Sequence, residues 1–96
     1  MRQSKPTACE LCGSTSDHLN FHHLIPRALH GKKWFTERYT REFMKTHGAW
    51  LCKFYCHKEI HTFIDERSMG RQYNTVEALL THPAVAGYVR WRSARV

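Results

Sequence analysis

The apolar positions change period several times along the chain, and each change marks an element. Leu19-Asn20-Phe21-His22-His23-Leu24-Ile25-Pro26 alternates and ends at a proline, which predicts a β-strand. Alternation sets Phe21 and His23 on one face and His22 and Leu24 on the other, so the adjacent histidines need separate roles unless the strand is bulged. Over residues 31–47 the spacing turns helical, with Trp34, Tyr39 and Phe43 inward and Lys32, Lys33, Arg38, Arg41 and Lys45 in water. Ala49-Trp50-Leu51 predicts a second strand. A helix is expected over about residues 53–66, burying Ile60, Phe63 and Ile64 and stopping near Gly70. Asn74 or Thr75 caps another through Ala78-Leu79-Leu80 to the break at His82-Pro83, where His82 is structural. A last segment over residues 84–94 packs Val85, Tyr88, Val89 and Trp91 and leaves Arg90, Arg92 and Arg95 exposed.

Chemistry concentrates in Leu51-Cys52-Lys53-Phe54-Tyr55-Cys56-His57-Lys58-Glu59-Ile60-His61, which packs two thiols and two imidazoles into one short stretch. His57 and His61 are i,i+4, so a helix from Tyr55 onward projects both rings from one face, as two ligands of one ion require. Cys52 and Cys56 form a separate pair, and their available partners are Cys9 and Cys12, spaced C-x2-C as in a zinc knuckle. Gly13 supplies the positive φ that turns backbone N–H groups towards the sulfurs. The pattern predicts two metal sites, a four-cysteine zinc site and a histidine site, sharing one helix. The competing reading, disulfides or a redox pair, lacks a thioredoxin-like context. His18 has no second ligand at useful spacing and reads as a surface residue.

At 96 residues the chain is one domain, near the size at which a metal often supplements the core. Fifteen Lys+Arg against eight Asp+Glu give a net charge of +7, spread along the chain, which favours a polyanionic partner, nucleic acid foremost. No apolar run approaches the ~18–20 residues of a membrane helix, and the first residues lead into no signal-peptide core. The expectation is a cytoplasmic protein without a membrane partner or small organic cofactor, in which paired cysteines bind metal. Residues 1–8 predict a flexible arm.

Cys9-x2-Cys12, then His22-His23-Leu24-Ile25-Pro26, then Leu51-Cys52-x3-Cys56-His57 with His61 behind it, resembles the HNH endonucleases of the ββα-metal (His-Me finger) superfamily, zinc-ribbon subgroup. The resemblance spans about residues 9–61. It implies an α+β fold: a small ββα-metal core over residues 9–66 with a four-cysteine zinc-knuckle site, and C-terminal helices over residues 67–96 packed on it. It implies a metal-dependent endonuclease hydrolysing DNA, double-stranded foremost, in a bacterial or phage-encoded protein. His23 maps to the general base and His22 to a ligand of the catalytic divalent ion. His57, His61 or both complete that ligand set, while Cys9, Cys12, Cys52 and Cys56 hold structural Zn2+. The family's middle position, commonly Asn, is His47 here, where it holds the loop or orients the base; His47 is also placed as a helix-terminal residue beside a Gly48 cap. Arg27, His30, Lys32, Lys33, Arg38 and Arg41 flank the site as nucleic-acid contacts.

Two departures bear on the roles. The second knuckle is C-x3-C where C-x2-C is usual, which shifts His57 by one residue and leaves the choice between His57 and His61 open. His22 stands where many relatives carry Asp, so imidazole-rich ligation leans towards Zn2+, Ni2+, Mn2+ or Co2+, whereas Mg2+ prefers oxygen. The alternative function is a catalytically silent zinc-ribbon module that binds nucleic acid; a structural or redox zinc protein is the third.

Overall fold

The computed structural model describes residues 6–15 and 18–95. Residues 1–5 of the expected arm, together with Ser16, Asp17 and Val96, lie outside it. The chain is a small mixed α/β protein with a two-stranded antiparallel sheet and helices between its strands and after them. Strand β1 (Leu19–His23) pairs with β2 (Gly48–Cys52) in the register Leu19–Cys52, Phe21–Trp50, His22–Ala49 and His23–Gly48. Between them run a 3-10 turn (Arg27–Leu29) and helices α1 (Lys33–Thr36) and α2 (Arg41–Thr46). After β2 come α3 (Cys56–Phe63), α4 (Glu66–Gln72), α5 (Val76–Leu79) and α6 (Pro83–Ser93).

β1 is shorter than expected, ending at His23, because Leu24 N–H bonds the His47 carbonyl (3.1 Å) and the chain turns away before Pro26. That turn splits the apolar residues. Leu24 joins the main core with Leu19, Ala49, Leu51, Ile60, Met69, Leu79, Val85 and Val89. Ile25, Leu29, Phe35 and Met44 form a second, smaller core, against which Trp34 and Tyr39 pack. Phe43, expected inward, is instead 42 % exposed. The segment is two short helices with a Thr40 N-cap between them, which resets the helical phase and turns Met44 inward.

The helix expected over residues 53–66 is two helices. Ile64 is extended (φ −130°, ψ 128°) and Asp65 caps α4, its carboxylate accepting from Ser68 N–H at 3.1 Å. The Asp65-x-x-Ser68 capping pattern is the sequence signal for this break. Gly70, expected to stop the helix, sits inside α4 and lets it approach Leu29 and Phe35. Thr75, one of the two expected caps, caps α5, and His82, expected only to be structural, caps α6 through Nδ1. In α6 the buried stripe is Val85, Val89 and Arg92, the i, i+4, i+7 set. Trp91, expected to pack, is 48 % exposed, and Arg92, expected in water, lies over the Tyr55 ring with Cζ 3.6 Å from its centroid.

Gly48 is no helix cap: it opens β2 opposite His23, and its glycine identity comes from close approach. A Cβ there would collide with the His22 carbonyl oxygen and the Phe21 ring. Gly48→Ala is therefore expected to destabilise the fold by about 1–3 kcal/mol, as overpacking does, and to disturb both histidines. Thermal melting checks it; an unchanged midpoint would refute the packing argument.

Candidate functional site

The first site is built at the end of the sheet where Leu19 pairs with Cys52. The Cys9–Cys12 turn docks on β2, where Glu10 N–H bonds the Trp50 carbonyl (2.9 Å) and the Glu10 carboxylate accepts from Trp50 N–H (2.6 Å). Gly13 has φ +80°, as expected. Leu11 and Cys12 N–H groups point at the Cys9 sulfur (3.4 and 3.5 Å), and Cys56 N–H points at that of Cys52 (3.3 Å). Cys52 ends β2 and Cys56 begins α3, so the C-x3-C spacing spans a strand-to-helix turn. The four sulfurs lie within 4.8 Å of one another, all buried and none in a disulfide. Such a closed set of sulfur donors could hold a metal ion.

Its electrostatics agree with that use. The Cys9 thiol is lowered to about 4, chiefly by the hydrogen bond from the Cys56 thiol. Burial raises Cys12 to about 11, and Cys56 is pushed up strongly by its bond to Cys9 and by burial. Four buried thiols cannot all ionise beside one another without a cation to balance them.

The second site lies where β1 faces α3. The helix turns Cys56 and Ile60 into the core and, one residue on, His57 and His61 towards the strand. There they meet His22: ring centroids are 5.2 Å apart for His22–His57, 5.2 Å for His22–His61 and 5.1 Å for His57–His61. One ring nitrogen from each lies within 4.8 Å of the others. His22 is 1 % exposed, and its buried Nε2 meets no hydrogen-bond partner among the described residues. A buried nitrogen left unpaired is costly, whereas a neutral imidazole lone pair suits a metal. Burial and the neighbouring imidazoles lower His22 to about 3, and burial with His61 lowers His57, so these rings are neutral at neutral pH. The residues fit a divalent ion held by three imidazoles, with His61 exposed on the open side.

His23 points the other way, as strand alternation requires. Its ring makes edge contacts with Phe21 (5.1 Å) and His30 (6.0 Å). It faces a cleft of about 340 Å³ lined by His23, Arg27, His30, Arg41 and Lys45, with no carboxylate among the described residues of the lining. Burial, His30 and Arg27 lower the His23 pKa, against a hydrogen bond to the Lys45 backbone that favours the protonated ring. That bond fixes one ring nitrogen as donor and leaves the other as acceptor in the neutral form. His30 Nε2 donates to the Ile25 carbonyl at 2.7 Å, since a carbonyl can only accept.

The other sequence-derived contacts divide. Arg27, His30 and Arg41 line the cleft; Lys32, Lys33 and Arg38 lie outside its lining. Lys33 spends itself on an exposed i,i+4 pair with Glu37 (3.9 Å). Lys45, absent from the expected site, reaches the cleft because it is i+4 from Arg41 on α2. His47 joins neither metal cluster: Nε2 bonds the Asn74 carbonyl and the ring stacks on Phe43 at 4.6 Å, tying the start of β2 to the α4–α5 connection. His18 is exposed, as expected.

Over 83 residues the chain is 32 % identical to the uncharacterized protein YisB of Bacillus subtilis (strain 168), covering 86 % of this chain and 70 % of that protein. The chain belongs to the YisB family. No protein-family model matches it, and no solved structure matches it either. Among the described residues of this YisB-family protein, no helix is long and apolar enough to cross a membrane.

Proposed function

We propose that this YisB-family protein is a metal-dependent HNH endonuclease that hydrolyses DNA phosphodiester bonds, with a ββα-metal core formed by β1, β2 and α3. The observation carrying this reading is the back-to-back arrangement on β1. His22 turns an unpaired nitrogen towards His57 and His61, while His23 opens into a cleft lined by cations.

In this reading His23 removes a proton from the attacking water, because its neutral ring has one nitrogen held by the Lys45 backbone and the other available. Arg27, Arg41 and Lys45 attract and orient the phosphate. His22, His57 and His61 hold a divalent ion, which when bound supplies charge stabilisation to the phosphate and the leaving oxygen. His47 is a positioning residue, fixing the α2–β2 corner from which Lys45 projects. Cys9, Cys12, Cys52 and Cys56 carry structural Zn2+.

Metal add-back tests the proposal. Protein stripped of its weakly held ion is expected to cut duplex DNA only after Mn2+, Ni2+, Co2+, Zn2+ or Mg2+ returns, with imidazole-preferring ions acting at lower concentration than Mg2+. Duplex binding without cleavage under every ion would instead favour the silent zinc-ribbon module, which the cationic cleft equally supports.

A further inference from the structure

We propose that Trp34, Arg38 and Arg71 form a second contact for the DNA backbone, outside the His23 cleft, that grips phosphates flanking the one being cut. The inference rests on the nuclease reading above. Arg38 Cζ lies 4.0 Å and Arg71 Cζ 4.5 Å from the centroid of the Trp34 ring, both well within cation–π range. Arg38 follows α1 and Arg71 belongs to α4, so one indole gathers cations from elements far apart in sequence. The ring itself is fixed: it is half-buried and meets Phe35 edge-on at 4.8 Å, and Phe35 is buried in the smaller core.

Stacking orients a guanidinium with its flat face on the ring and its N–H edge available. Arg38 uses Nη1 on the Trp34 carbonyl (2.8 Å). Arg71 donates no side-chain hydrogen bond to a described residue, and neither guanidinium pairs with a described carboxylate. Two like charges on one ring repel, and anions bound at their outer N–H edges relieve that repulsion. Planar forks match phosphate oxygens, and exposed Lys32 and Arg67 extend the positive charge along both elements. A repeating phosphate chain fits this spread better than a single anion does. Leu29 and Phe35 of the smaller core also touch the Gly70 position of α4, so the core that supports Arg27 and His30 supports this stack too.

Salt titration of duplex binding tests the proposal. Arg38→Gln and Arg71→Gln are each expected to weaken binding to a ~20-bp duplex and to reduce the slope of log K against log salt by about 1, the signature of one lost phosphate contact. Arg71→Lys keeps the charge and should retain the wild-type slope. Wild-type slopes in both glutamine variants, with a lowered melting temperature, would show that the stack only packs the helices together, and the proposal would fail alone. If the wild type neither cuts DNA nor binds it in a salt-dependent way, the nuclease reading and this contact fall together.

Discussion

His23→Ala is expected to lower turnover by about 10²–10⁴-fold, the usual worth of a positioned base, while affinity for duplex DNA and for the divalent ion stays near wild type. The expectation follows from where the ring sits. It lies on the face of β1 opposite His22, so its removal leaves the three-imidazole cluster intact. Burial, with His30 and Arg27 nearby, holds its pKa below the ordinary 6.5, so the neutral, proton-accepting form prevails at neutral pH and the acid limb of activity falls below that value. His22→Ala has a different signature. It removes the buried donor of the cluster, so activity falls through loss of the ion, and raising the ion concentration restores part of it. His57→Ala and His61→Ala should follow His22→Ala, because the three rings are nearly equidistant. Cleavage measured across a metal titration, with DNA affinity in parallel, separates the roles. Equal activity in wild type and His23→Ala would overturn the assignment of the base.

The His57/His61 pair and the C-x2-C and C-x3-C knuckles were legible in the sequence because their spacings are local, whereas His22 entered the histidine group only through the family resemblance. His57 and His61 share a helix face at i,i+4, and strand alternation separates His22 from His23 without any tertiary information. The choice between His57 and His61 could not be made from spacing, since it depends on how the C-x3-C turn aims α3 at β1; both rings meet His22. Where expectation and structure differ, local and non-local causes both operate. An Asp65 cap outweighed the continuous helical pattern, and an i+7 position placed Arg92 rather than Trp91 against the core. His47 has helix-end chemistry in sequence, but its partner, Asn74, lies on a distant loop that no periodicity reveals. The Trp34 stack needed α4 folded back on α1, which follows from packing at Gly70 rather than from either segment alone.

Cys52→Ser is expected to unfold the domain or to reduce it to a state without cooperative melting. Cys52 is fully buried at the end of β2, 3.7 Å from the Cys12 sulfur, and its own sulfur accepts from Cys56 N–H. A serine hydroxyl is not ionised at neutral pH and is a poor zinc ligand, so the substitution leaves three buried thiols without the charge that the fourth provides. Magnitudes decide the outcome. A structural zinc contributes on the order of 10 kcal/mol to small domains, and net stability for a domain is only about 5–15 kcal/mol. The same cluster sits within the main core beside Leu51, Ile60 and Val85, so its loss loosens α3 and α6 together. Wild-type protein should retain about one zinc per chain through mild chelation, and Cys52→Ser should purify with none and lose near-ultraviolet dichroism. His22→Ala should keep that zinc, which distinguishes the cysteine site from the histidine site. Wild type without tightly held zinc, or with its cysteines in disulfides, would sink the structural-zinc reading.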